Sequence, residues 1–312
     1  MNPRSERNPS TTILHRLAQL LAGFTFVLLV AGALVTSTGS GLAVPDWPLA
    51  FGRLFPPMVG GVLYEHGHRL IAGGVAALTL ILCIGLLARE DRAWVRRMGL
   101  AAFAVVCLQA VLGGLTVLLH LPPAISIAHA GLAEIFFAFI VCLTIVTSST
   151  WRRTYGIRFE EQDRLTLQTL CLTATIVVYL QILLGAVVRH TNSGIFIHIL
   201  GALATLFFVG RMAYFINSGY AQYPILRRPA MAAAHLVGVQ LILGSVSWVE
   251  KIKNAGAGQP SAGKIWFSTI HLAAGALLFA TCVTLTWRIF KIACESRRPL
   301  TIRTDTQEKV LA

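Results

Sequence analysis

Charge is what this sequence has least of. Only 12% of its 312 residues are Asp, Glu, Lys or Arg, and the acidic ones number 13; a soluble domain carries about 25% charged residues. Apolar residues make up 55% and the mean hydropathy is +0.70. A soluble fold of this length has no interior large enough to hide that much apolar surface. Disorder, collagen and nucleic-acid binding are excluded by the same numbers. Also missing are a Rossmann fingerprint, a P-loop and a zinc-protease motif. Alternating apolar and polar residues are missing too, which excludes a membrane β-barrel. The six cysteines, Cys83, Cys107, Cys142, Cys171, Cys282 and Cys294, have no zinc or iron–sulfur spacing and read as packing residues.

What is present is a series of long apolar runs. A spanning helix needs about 20 such residues. Runs lie at 17–35, 68–87, 98–119, 124–146, 165–188, 195–215, 230–249 and 265–287. The fold class is therefore an all-α membrane protein of eight transmembrane helices. Arg4 and Arg7 ahead of the first run could open a signal peptide, but the run is long and reads as a retained first helix.

The net charge of +13 is a topology signal. With the N-terminus inside, the inner segments hold Arg4, Arg7 and Arg16 at one end of the chain and Arg298, Arg303 and Lys309 at the other. They take 20 of the 26 Lys and Arg, leaving six for the outer side. The positive-inside bias places both termini on the inner side of the membrane.

The chain also repeats itself. Ala-Gly-Ala-Leu-Val-Thr-Ser-Thr-Gly-Ser-Gly at 31–41 parallels Leu-Gly-Ala-Val-Val-Arg-His-Thr-Asn-Ser-Gly at 184–194. Gln109 to Gly113, Gln181 to Gly185 and Gln240 to Gly244 share one spacing. Two pseudo-twofold-related four-helix bundles follow, 1–155 and 156–312, N-in and C-in, with an axis along the membrane normal.

Four of the nine histidines open the even-numbered spans: His68, His129, His198 and His271. At 1.5 Å per residue each lies ~7 Å below the outer surface. Neutral imidazoles from facing helices are good axial ligands for heme iron. The repeat pairs His68 with His129 and His198 with His271. A lone membrane histidine usually hydrogen-bonds a neighbouring helix; four at equivalent positions point to function. Small residues after them, as in His68-Arg-Leu-Ile-Ala-Gly-Gly, leave room for a flat macrocycle or for close helix packing. His15 and His235 read as structural, His120 as part of a turn.

Glu65 precedes His68 by three residues, on one helix face if the helix reaches that far. It can orient water, accept protons or stabilise charge at the first pair; a solvated helix-start glutamate is the plain reading. Arg69 and Arg189 can pair with heme propionates or snorkel. His66 and His190 are candidate outer neighbours of the two sites. Glu134, deep in the fourth span, can bond a helix neighbour or serve a proton path. The loop at 39–52 carries Asp46 and Trp47, and Trp47 reads as an interfacial residue or part of a lid over the first pocket.

These residues resemble the heme A synthase family over all eight spans. The resemblance rests on Gly39-Ser-Gly-Leu-Ala-Val-Pro-Asp-Trp-Pro, Glu65-His-Gly-His68-Arg69, the Leu-Pro-Pro turn before His129, Arg189-His190 with His198, and His271. It implies oxidation of the C8 methyl of heme O to a formyl group, through an alcohol and a geminal diol, giving heme A for cytochrome oxidase assembly. It implies heme b as cofactor on His198 and His271, heme O as substrate on His68 and His129, and Glu65 as the required acidic group. Heme O synthase and terminal oxidase assembly proteins are the implied partners, with an unidentified electron-transfer partner and the lipid bilayer. Many bacterial members carry a cysteine pair in the first outer loop. Here Val44 and Ala50 stand there, so a disulfide-dependent step is not expected.

Two other functions use the same features. A diheme bis-His cytochrome linked to quinol would carry both pairs but has little use for Glu65. A transporter fits duplicated bundles, yet such proteins usually break helices at mid-bilayer, and no span here is interrupted.

Overall fold

The computed structural model describes residues 9–153 and 155–297. Arg4, Arg7, Arg298, Arg303 and Lys309, used above for orientation, lie outside the described residues. Among these the regular structure is helical: α1 (Pro9–Ser37), α2 (Gly61–Arg89), α3 (Ala93–Leu118), α4 (Pro123–Thr147), the single turn α5 (Ser149–Arg152), α6 (Glu161–Thr191), α7 (Ile195–Gly219), α8 (Pro224–Lys253) and α9 (Ala262–Ser296). All but α5 are long and apolar enough to cross a membrane.

Local chemistry sets the boundaries. Pro123 and Pro224 occupy first-turn positions, where a missing N–H costs nothing. Ser148 and Ser261 cap α5 and α9 by accepting from Trp151 N at 3.1 Å and Lys264 N at 3.2 Å. Asn192 in the left-handed region, φ 57°, ends α6, and Gly194, φ 82°, opens α7. The helices outrun the apolar runs: α2 starts at Gly61 and α9 extends from Ala262 to Ser296. Hydropathy sees only the hydrocarbon-sized centre, whereas backbone bonding carries the helix on past it.

Helices α1 to α4 pack in ring order, α4 closing on α1; α6 to α9 do the same, α9 closing on α6. The two sets meet through α1 and α4 on one side and α6 and α9 on the other. Helices α4 and α9 are the inner ones, with 56% and 50% of their apolar windows buried against 17–28% elsewhere. Large side chains such as Phe196 and Tyr214 on α7 face outward, as lipid-facing residues do.

At the end away from the four histidines, cations bind carbonyls as well as the scarce carboxylates. Glu90 accepts from Arg92 at 2.7 Å and Arg152 at 3.0 Å, and Arg92 also donates to Val146 O at 2.9 Å. The Arg92 and Arg152 guanidiniums keep the Glu90 carboxyl below its ordinary range, although burial, the largest single influence, pushes the other way. Pro229 has no N–H to give the carbonyl four residues back, and that carbonyl, Ile225 O, accepts from Arg288 at 2.8 Å. The charged connection after α5 is packed down rather than loose: Ile157 and Phe159 are buried, and Phe159 meets the Tyr220 ring edge-on at 5.2 Å.

Candidate heme-binding site

Each of the four histidines sits against a glycine of the helix before it. A Cβ at Gly32 of α1 would stand 3.1 Å from His68 Cε1, and one at Gly113 of α3 would stand 3.3 Å from His129 Cε1. At Gly185 of α6 and Gly244 of α8 the distances are 3.2 Å to His198 Cε1 and 3.1 Å to His271 Cε1. Such spacings are tighter than ordinary van der Waals contact. A side chain at any of these glycines would push the imidazole edge back by a few tenths of an ångström. In all four histidines Nδ1 is buried and has no hydrogen-bond partner. The rings of His198 and His271 face one another, with centroids 6.4 Å apart and planes at 87°. His68 and His129 lie within electrostatic reach of each other.

Three glutamines reinforce the arrangement. Gln109 donates to His129 O at 3.0 Å, Gln181 to His198 O at 2.9 Å and Gln240 to His271 O at 2.8 Å. Each stands one turn before the glycine that seats the same histidine. The sequence shows this spacing as a repeat; its purpose needs the fold, because Gln and His belong to different helices. The seating glycines precede the histidines, whereas the sequence draws notice to the small residues after them. Of those, Gly131 lies under Leu183 and Tyr179 of α6, which is helix packing, and Gly275 lies beside the Gln240 amide.

Glu65 is buried on α2, and both its oxygens are engaged: Oε1 by Arg69 at 2.5 Å and Oε2 by Val44 N at 2.8 Å. Arg69 also donates to Asp46 O at 2.7 Å, Leu49 O at 2.8 Å and Val44 O at 3.2 Å. His66 Nε2 meets Leu54 O at 2.8 Å. These three side chains, flanking His68, pin the 44–54 loop onto α2. Asp46 accepts from Phe51 N at 2.7 Å and Gly52 N at 2.8 Å, closing the loop on itself. Val44 and Ala50 are fully buried. The Trp47 indole lies on Gly114, where a Cβ would come within 2.8 Å of the ring. Gly113 thus seats His129 and the next residue seats Trp47, which sets the loop over the first pair.

Arg189 of α6 donates to Ala33 O at 2.6 Å and Ser37 Oγ at 2.7 Å on α1. His190 is half-buried beside it and within electrostatic reach of His129. Glu134 is buried in α4 with Oε2 unpartnered. His15 Nδ1 lies 3.3 Å from Thr147 Oγ1 and His235 Nδ1 lies 2.6 Å from Met231 O, both structural contacts, and His120 adopts φ 59° in the turn before α4. Among the described residues no three His, Cys, Asp or Glu side chains converge as a metal-ion cluster; the histidines come in twos.

Residues 61–199 match the family COX15-CtaA, described as cytochrome oxidase assembly protein. The heme A synthase of Bacillus pumilus (strain SAFR-032) is 30% identical over 188 residues, covering 58% of this chain and 60% of that protein. That of Bacillus licheniformis is 32% identical over 171 residues, 54% of this chain and 56% of the relative. That of Geobacillus thermodenitrificans is 29% identical over 181 residues, 54% and 53%. The chain spans between half and two thirds of the length of these relatives. It is a multi-pass membrane protein, similar to bacterial heme A synthases and matching the COX15-CtaA family over residues 61–199.

Proposed function

We propose that this protein oxidises the C8 methyl of heme O to a formyl group, yielding heme A. His68 and His129 hold the substrate heme, and His198 and His271 hold a resident heme b. Residues 1–155 and 156–312 form the two bundles, with the histidine-bearing end outward and both termini inside. The formyl oxygen comes from water or dioxygen; with water as the source the step releases four protons and four electrons, and the electrons pass to an unidentified electron-transfer partner. Heme O synthase and terminal oxidase assembly proteins are the neighbours this chemistry calls for.

The observation that carries the reading is the fourfold seating of imidazole on glycine, with Nδ1 buried and unpartnered each time. The fit to a heme is good at the second pair: two imidazole–metal bonds of about 2 Å each leave the remainder of the 6.4 Å centroid separation to the two ring radii. When bound, the resident heme supplies one-electron redox chemistry. The chain supplies the rest. The glycines hold the imidazoles, the inner helices exclude water, and Glu65, three residues from His68 on the same face, places a proton acceptor by the first pair. A pocket within a membrane bundle also admits the apolar tail of heme O without exposing it to water.

The test is pigment extraction from protein purified out of cells that make heme O. Hemes B, O and A together support the enzyme. Heme B alone would identify a diheme cytochrome and overturn the proposal. Glu65→Gln refines it: heme content stays near wild type while heme A disappears, and normal heme A in that variant would remove Glu65 from the chemistry.

A further inference from the structure

Three of the four histidines are latched twice, and one is latched once. His129, His198 and His271 each have a seating glycine on the preceding helix and a glutamine amide, one turn earlier on that helix, donating to their own carbonyl at 2.8–3.0 Å. His68 has the glycine, Gly32, with the same 3.1 Å spacing, but the residue one turn earlier is Leu28, which has no donor. What ties His68's helix instead is the loop: Glu65, His66 and Arg69 all bond backbone groups between Val44 and Leu54. Gly73 and Gly74, further along α2, have nothing within 4 Å of a built Cβ.

We propose that Gln109, Gln181 and Gln240 are positioning residues that fix three imidazoles permanently, and that His68 is the releasable ligand, held by a loop instead of a helix. This rests on the heme reading above. The physical case is that an interhelical amide–carbonyl bond couples two helices at the level of the histidine, so ring and seat move together. The Leu28 side chain has no donor for the His68 carbonyl; its backbone faces the His68 imidazole, so α1 meets the ring while the α2 backbone at His68 lacks the amide tie that the other three histidines have. That asymmetry suits a protein with one heme to keep and one to exchange. His129 stays on its latch while His68 lets go, and the fully latched second pair retains its heme.

The sequence permits a direct gain-of-latch test. The residue four beyond the histidine is small in every case: Ala72, Ala133, Ala202 and Gly275. A glutamine at 28 would stand four residues before Gly32, as Gln109 stands before Gly113, in place of a half-buried leucine. Full-length protein in detergent is loaded with heme, and transfer of heme to excess apomyoglobin is followed by absorbance. Leu28→Gln slows transfer from the first pair about three- to tenfold, the size expected of one interhelical hydrogen bond in a membrane bundle, and leaves the second pair unchanged. Gln240→Met and Gln181→Met speed transfer from the second pair by a similar factor and broaden its low-spin EPR signal, a change that general destabilisation at unaltered ligation does not give. Gln240→Glu, which retains an oxygen but no amide donor at neutral pH when ionised, behaves as Met if the donor is what matters. Unchanged rates in Leu28→Gln, or in both Met variants, overturn the proposal while leaving the heme reading intact. Should wild type take up no heme, or keep its full signal after His198→Ala and His271→Ala, the heme reading itself falls, and the proposal with it.

Discussion

A glycine stands opposite each of the four histidines, and it is the one steric constraint that recurs at all four positions. Alanine is favoured over glycine in a helix by about 1 kcal/mol, so Gly185→Ala and Gly244→Ala gain on propensity. Yet a Cβ at either position would press on the imidazole at 3.1–3.2 Å, and the ring must tilt. Both variants should fold and retain thermal stability, but bind the second heme about tenfold or more weakly, measured by heme titration; undiminished affinity would show that the seat is not tight. The 87° between the His198 and His271 planes makes a spectroscopic prediction as well. A heme held by His198 and His271, as proposed, should give the strongly anisotropic low-field EPR line of perpendicular imidazoles. A rhombic spectrum, typical of parallel planes, would contradict the observed ring geometry.

At the scale of elements, the 44–54 loop is tied down onto α2 by one arginine that holds it from inside. Arg69 donates to three loop carbonyls as well as to Glu65, and a hydrogen bond to a charged group is worth about 1.5–3 kcal/mol. Arg69→Ala should raise amide hydrogen exchange across residues 44–54 by roughly two orders of magnitude, with α3 and α4 protected as before. Arg69→Lys should recover only part, since an ammonium lacks the planar fork that reaches several carbonyls. Acid should loosen the same loop. The backbone N–H groups of Gly52 and Phe51 hold the exposed Asp46 carboxyl below its ordinary value of 3.8. Its contribution to loop order is thus present above 3.8 and lost as pH falls through the lower folded value. Exchange in 46–52 that is flat across that range would count against it. The eight helices were readable in the sequence, because apolar runs of membrane length have few other uses. Their ends were not, because helices continue past the apolar centre. The four histidines were readable from the repeat. Their seats, the role of Gln109, Gln181 and Gln240, and the Arg69 loop network were not, because every one joins positions on different elements, and single-chain periodicity reports one element at a time. Arg69 shows this best: its charge beside His68 reads as an anion partner, whereas its hydrogen bonds go to loop carbonyls and Glu65.

In the whole molecule the two helical rings are stitched at the histidine end by a residue from one ring on the backbone of the other. Arg189 of α6 grips Ala33 O and Ser37 Oγ of α1, and Ser37 also accepts from Thr269 of α9 at 3.2 Å. Ala33 adjoins Gly32, the seat of His68. A change in the second ring therefore has a short mechanical route to the first histidine pair: guanidinium, α1 carbonyl, glycine groove, imidazole. Arg189→Gln removes the charge and shortens the reach. It should shift the absorbance maximum or midpoint potential of the first heme, whereas Lys253→Gln, at a side chain 67% exposed on α8, should not. The link can be isolated by a double-mutant cycle. Arg189→Gln and Ser37→Ala share one hydrogen bond, so their effects on thermal stability should be less than additive, with a coupling of about 0.5–3 kcal/mol as for residues in direct contact. Full additivity, together with an unmoved first heme in Arg189→Gln, would mean that the two rings function as independent halves.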